Sequence, residues 1–302
     1  MQILSALTPA SLLAFLAFVA LAPSHPAVSA QAGARERTLF VSAIGAGGVP
    51  VEGLSPDDFV IREDGVRREV LRVSRAIEPI DIALLVDDSA SSADLVPRMR
   101  EGLRAFVATM TPANNLALVG LGARPTIFVD YTTDRKRLTD GIGRVFTQTT
   151  SGMTLLDGIV EVSNGLAKRD TPRAVLVPVI TDGIEYSNRD SRYVIDAMTK
   201  AGVALHAVTV GTFSLSDDEA IRNRGNVLDQ GTRATGGQQI SLLAATAVEQ
   251  ALARLARELS SQYKVVYSRP ESLIPPEKIE VSPRGSGMTM RGTPARGQKT
   301  GA

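Results

Sequence analysis

The chain has 302 residues, 44% of them hydrophobic and 22% charged, with a formal net charge of +1. That composition is globular, gives no sign of a nucleic-acid partner, and suffices for one medium α/β domain with a smaller companion. There are no cysteines, which excludes disulfides, thiolate metal sites and a lipid-modified cysteine anchor.

The N-terminus carries a targeting pattern. Ser11 to Ala22 reads SLLAFLAFVALA, within the roughly 7–15 apolar residues of a signal peptide core. Pro23 and Pro26 break the run, and Val28-Ser29-Ala30 offers the small residues that a signal peptidase reads. Cleavage after Ala30 is expected, with the mature protein exported to the periplasm or secreted. Residues 1–10 contain no Lys or Arg, a departure from the pattern that leaves an uncleaved anchor as the one route to a membrane. No other run approaches the roughly 20 apolar residues of a membrane span.

Residues 31–78 read as a β segment. Thr38 to Ile44, Phe59 to Glu63 and Val66 to Val73 alternate as strands, with turn signals at Gly45 to Gly48 and at Asp64-Gly65. From Ile80 the pattern changes. Asp81 apart, IDIALLV is a short continuous apolar run, as a strand buried on both faces should be. A helix over Leu95 to Met110 follows, then strands Leu116 to Leu121 and Thr126 to Tyr131 as a hairpin. Helices over Arg135 to Phe146 and Thr154 to Lys168 precede the apolar strand Ala174 to Ile180. Helix Arg189 to Ala201, strand Val203 to Val210, a helix near Asp217 to Thr235, a short strand at Gln238 to Ile240 and a helix over Ala245 to Leu259 complete the set. This alternation predicts a mostly parallel sheet with helices on both faces over residues 79–260. Residues 261–291 return to β character, with strands Gln262 to Tyr267 and Lys278 to Val281. Residues 292–302, rich in Gly, Pro, Arg and Lys, are expected to be a disordered tail.

Three segments carry chemistry. Asp87-Asp88-Ser89-Ala90-Ser91 directly follows the first buried strand. Thr154 opens a helix. Thr181-Asp182-Gly183 directly follows strand Ala174 to Ile180. In a doubly wound sheet the first and fourth parallel strands are neighbours, and ligands bind outside their carboxyl ends, where the winding reverses. The Asp87 and Asp182 loops fall at those ends once Thr126 to Tyr131 is taken as the antiparallel edge. Oxygen ligands without sulfur or imidazole suit Mg²⁺, Mn²⁺ or Ca²⁺. Ser89, Ser91 and Thr154 offer neutral hydroxyls, and Asp87 and Asp182 can hold bound waters and balance charge. A partner protein's carboxylate can then complete the shell.

Asp87, Ser89, Ser91, Thr154 and Asp182 resemble the metal-ion-dependent adhesion site of von Willebrand factor A (VWA) domains, in which D-x-S-x-S, a distant Thr and a distant Asp form one site. All five elements stand here in the family's order. Leu54-Ser55-Pro56-Asp57-Asp58-Phe59 followed by Glu63-Asp64-Gly65 is similar to the lead-in of a bacterial VWFA-related family. The resemblance implies an α/β, doubly wound, mostly parallel six-stranded sheet of VWA/Rossmann-like form. It also implies a small antiparallel β module assembled from the N- and C-terminal flanks. The function it implies is cation-dependent binding of a protein ligand that presents an Asp or Glu carboxylate. The alternative is an assembly component of a cell-envelope complex in which the metal mainly stabilises the fold.

An enzyme is not expected, and neither is a small-molecule substrate. No G-x-S-x-G elbow or P-loop is present, and a Ser/His/Asp triad would have to recruit His206 from mid-strand. An aspartate-nucleophile phosphatase wants a second aspartate where Ser89 stands, and a receiver domain wants a lysine where Gly211-Thr212 stands. Other residues read more simply. Asp88 is expected to point away from the crevice, Glu185 to be a solvated loop carboxylate and His206 to be a satisfied core histidine. Arg67, Arg68 and Arg72 read as a solvated strand face, and Asp217-Asp218-Glu219 as a helix N-terminus.

Overall fold

The computed structural model describes residues 34–212, 218–271 and 274–297. The signal-peptide reading of residues 1–30 lies outside them.

The chain begins with strands β1 (Ala34–Gly45), β2 (Phe59–Glu63), β3 (Val66–Arg68) and β4 (Val70–Arg75). The α/β region then runs β5 (Ile80–Val86), α1 (Val96–Met110), β6 (Asn115–Gly120), β7 (Thr126–Thr132), α2 (Arg135–Gly143), α3 (Leu155–Ala167) and β8 (Arg173–Thr181). It continues with α4 (Ser191–Ala201), β9 (Val203–Val210), α5 (Glu219–Asn226), a π-helical stretch Val227–Gly231, α6 (Thr232–Ala234), β10 (Gln238–Leu242) and α7 (Val248–Ser260). Strands β11 (Tyr263–Pro270), β12 (Ile279–Pro283) and β13 (Met288–Pro294) close the chain.

The central sheet has six strands in the order β10-β9-β8-β5-β6-β7. Neighbours are parallel from β10 to β6, and β7 is the antiparallel edge. This is the mostly parallel, doubly wound architecture expected from the alternation of elements. Every residue of β5 is buried, and successive side chains leave the strand on opposite faces. Ile80, Ile82, Leu84 and Val86 join Met99, Leu103 and Phe106 of α1 and Leu252 and Leu255 of α7. Ala83 and Leu85 join Leu155, Leu156 and Ile159 of α3 and Val194 and Met198 of α4. A strand that serves two helical layers is apolar on both faces, which is why IDIALLV shows no alternation; its one charged residue, Asp81, is paired with Arg169.

The flanks build a separate antiparallel β module of two sheets, one of order β13-β1-β11-β4 and one of order β12-β2-β3. Leu39, Val41, Phe59, Ile61, Val265 and Met290 belong to one buried cluster. Within it Glu63 is buried and accepts from the Tyr267 hydroxyl at 2.8 Å, with Arg68 at 2.9 Å and Arg269 at 3.1 Å. Two sequence expectations change here. The single strand Val66 to Val73 breaks at Glu69, so β3 and β4 enter different sheets. And the tail expected to be disordered from 292 is ordered at its start, because β13 runs to Pro294 and pairs with β1, Val41 opposite Gly292. A Cβ at Gly292 would come within 2.9 Å of Val281, so glycine lets this strand pack closely there. Arg296 follows, its N–H donating to Pro172 O at 3.0 Å.

A polar junction joins the module to the α/β region. Arg173, first residue of β8, donates to Leu259 O and to Gln262 Oε1, and Gln262 donates to Ser42 Oγ. Arg291 of β13 pairs with Glu258 at 2.7 Å, and Gln238, first residue of β10, donates to the same carboxylate. These contacts lie at the amino ends of the parallel strands. The carboxyl ends, where a ligand crevice forms in such sheets, are at the other side.

Candidate metal centre

β5 and β8 are hydrogen-bonded neighbours, with Val86 opposite Val179. The loops that leave their carboxyl ends therefore start side by side. Asp87, next after β5, is fully buried, and its carboxylate is held on both oxygens. Oδ1 accepts from the Ser89 N–H at 3.0 Å and the Ser89 hydroxyl at 2.6 Å. Oδ2 accepts from the Thr181 N–H at 3.0 Å and the Thr181 hydroxyl at 2.5 Å. The chain of hydroxyls then closes, Ser89 Oγ to Ser91 Oγ at 3.0 Å and Ser91 Oγ to Thr181 Oγ1 at 2.9 Å. One residue of this network, Thr181, has no role assigned from sequence. Thr181 ends the apolar strand β8, and only its proximity to Asp87 gives it a role.

Thr154 stands on the adjoining wall. The loop before it is tied to the Asp87 loop by Ala90 N–H donating to Ser151 O at 3.0 Å. The Thr154 hydroxyl reaches Leu121 O at 3.1 Å and Gly122 O at 2.9 Å. Its one proton serves a carbonyl, so its lone pairs are left for another partner. Asp182 leans the other way, Oδ2 accepting from Thr212 N–H at 3.1 Å. Among the described residues no hydrogen bond joins Thr154 or Asp182 directly to the Asp87–Ser89–Ser91 cluster. Two glycines allow the loops to close this tightly. A Cβ on Gly183 would lie 1.9 Å from Ser91 Oγ, and one on Gly211, at φ +113°, would lie 2.6 Å from the Asp182 carboxylate.

Surrounding side chains fix these loops. Asp88 turns away from Asp87 toward β6, as expected, but it is buried: Oδ1 accepts from Gly122 N–H at 2.6 Å and Oδ2 from Gln148 Nε2 at 2.8 Å. Glu185 is a correction, since it is buried rather than solvated. The Asp182 loop pairs with the Thr154 loop through Met153 and Glu185, and that pairing draws the carboxylate inward beside the start of α3. Oε1 accepts from Ser187 N–H at 3.1 Å, while the Ser187 hydroxyl accepts from Asp157 N–H at 3.0 Å. Burial pushes the Glu185 carboxyl up to about 7, against the lowering effect of its hydrogen bonds and of Arg224. His206 is buried within β9, but among the described residues neither ring nitrogen has a hydrogen-bond partner, so it is not the satisfied histidine expected. Burial pushes its imidazole down to about 4. Asp218 caps α5 as expected, accepting from Ala220 N–H at 2.8 Å. Arg67 is exposed and Arg72 pairs with Glu36 at the surface, but Arg68 is drawn into the buried Glu63 pair.

The donor set is all oxygen, with two carboxylates and several hydroxyls converging on one end of the sheet. That chemistry fits a small hard cation. Among the described residues there is no group of three or more His, Asp or Glu side chains placed to hold an ion. The fit therefore depends on the serine and threonine hydroxyls.

Comparison with known proteins agrees with this architecture. None of the curated proteins matches the chain in sequence. A von Willebrand factor type A protein from Catenulispora acidiphila superposes with a TM-score of 0.51 at 10% identity, over 88% of this chain and 66% of that one. Proximal thread matrix protein 1 from the mussel byssus gives 0.47 at 14% identity, over 66% of this chain and 49% of that one. At 10% identity the likeness to the Catenulispora protein is one of fold. The model of the von Willebrand factor type A domain matches residues 81–262, and the chain belongs to that family.

Proposed function

We propose that this protein binds one divalent cation, Mg²⁺ or Mn²⁺ with Ca²⁺ as the third candidate, through Asp87, Ser89, Ser91, Thr154 and Asp182. Through that ion it captures a protein partner presenting an Asp or Glu side chain. The observation that carries this reading is the hydroxyl–carboxylate network at the adjoining carboxyl ends of β5 and β8. When bound, the ion would supply a Lewis-acidic point for the partner's carboxylate. Asp87 would orient Ser89, and Asp182 would offset positive charge. The surroundings support a binding face. Phe146, Ile184, Tyr186 and Leu243 are exposed large apolar side chains on loops at this end. Such residues suit the apolar part of an interface.

The alternative, an envelope assembly component with a structural metal, is less well supported. Asp87 already receives four hydrogen bonds from the protein, so the fold satisfies this carboxylate with its own donors. Binding rather than catalysis is further supported by His206, the one histidine of the described residues, which is buried within β9 and not available as a base for a serine. We further propose that residues 1–30 are a signal peptide and that the mature protein works outside the cytoplasm. Among the described residues no helix is long and apolar enough to cross a membrane.

The test is a pull-down of partners from envelope extract with and without chelator, beside calorimetric titration of Mg²⁺ or Mn²⁺ into the chelator-stripped protein. Saturable uptake and chelator-sensitive capture are expected. No uptake at millimolar metal would sink the reading.

A further inference from the structure

A positive charge is built into the back of the crevice. Arg224, on α5, is only 2% exposed. Its Nη1 donates to Gly183 O, the carbonyl of the residue that follows Asp182. Gly183 packs closely against Ser91, so the guanidinium is fastened to the turn that carries Asp182 and abuts the loop that carries Ser91. A guanidinium stays protonated in proteins, and a buried charge persists only where opposite charge surrounds it. Here Glu185, Asp87, Asp182 and Asp218 all act on it electrostatically and oppose the effect of its burial.

We propose that Arg224 is the resident counter-cation of this crevice: it balances the carboxylates when no divalent ion is bound, and it lowers the affinity for the ion. Without it, Asp87 and Asp182 would repel each other across the empty centre. With it, an entering dication meets a fixed positive charge behind its ligands. Charge–charge interactions in a partly buried site are strong enough to move an equilibrium by an order of magnitude. The crevice is thereby tuned to exchange its ion rather than to trap it. This inference rests on the cation reading above.

The experiment titrates Mn²⁺ alone, by calorimetry, into the chelator-stripped mature protein and three variants. Arg224→Met removes the charge and the donor. Arg224→Gln removes the charge and keeps a donor for Gly183 O, which covers the case in which the methionine variant does not fold. Arg224→Lys keeps the charge and loses the fork. The two neutral variants should bind Mn²⁺ about tenfold more tightly and should gain more thermal stability from saturating Mn²⁺ than wild type does. The lysine variant should stay within about twofold of wild type. If wild type binds Mn²⁺ and the folded neutral variants bind it equally or more weakly, Arg224 is not a counter-cation, and the cation reading survives. If neither wild type nor any variant takes up Mn²⁺, the cation reading fails and this inference with it.

Discussion

Thr181 holds one oxygen of Asp87 twice, through its N–H at 3.0 Å and its hydroxyl at 2.5 Å. The two residues are 94 positions apart in sequence, and this pair of hydrogen bonds locks the β5 loop to the β8 loop. It sets the direction of the Asp87 carboxylate, and through the other oxygen the direction of Ser89.

Thr181→Val should therefore loosen the centre without emptying the core. The valine keeps the strand's shape and its N–H, and the charged carboxylate loses one buried donor. Hydrogen bonds to charged groups contribute roughly 1.5–3 kcal/mol, and a loss of that size is expected. Urea unfolding of wild type and variant measures it. A midpoint equal to wild type would show that the hydroxyl is not holding Asp87.

Asp182→Ala should abolish partner binding and leave the fold standing. The Asp182 side chain accepts one backbone hydrogen bond, from Thr212, beside a strand whose residues from Ala174 to Ile180 are all apolar and buried. Its removal should cost no more than about 1 kcal/mol and should weaken cation uptake. Chelator should reduce partner capture by wild type and have no further effect on the variant. Normal capture by the variant in chelator would place the interface elsewhere.

Glu185 should make stability depend on pH in an unusual direction for a carboxylate. Its pKa is raised from 4.5 to about 7, chiefly by burial. Below pH 4.5 both folded and unfolded states hold the proton, and the full contribution is present. Between there and about 7 the unfolded chain loses the proton first, so stability falls as pH rises, and above 7 it levels off. The total is about 3 kcal/mol by linkage. Glu185→Gln removes the titration, so the variant should gain on wild type between pH 4.5 and pH 8. A stability difference that stays constant over that range would show that Glu185 titrates normally.

Deleting residues 31–76 should leave the α/β region aggregation-prone. β11 is flanked by β1 and β4, and β12 pairs with β2. The deletion takes all three partners and leaves open edges, a known route to association. Light scattering and hydrogen exchange check it. A soluble truncation with protected C-terminal strands would mean that the pairing is dispensable.

Much of this protein was written locally. IDIALLV is apolar at every position but Asp81, so its strand and its central place in the sheet followed from the chain alone. The D-x-S-x-S spacing, Thr154 and Asp182 were legible because each sits next to a strongly marked element, and the winding rule brings those elements together. Residues whose character depends on a distant neighbour were not legible. Glu185 looked solvated until Met153 paired beside it, and His206 looked satisfied although β9 gives its ring no partner. Val66 to Val73 reads as one strand, yet Glu69 is where the chain leaves one sheet for another. Arg224 showed no sign of its role, since α5 reaches the Asp182 turn only in three dimensions. Periodicity and spacing are properties of a segment, whereas burial, pairing and the electrostatic field at a side chain belong to everything folded around it.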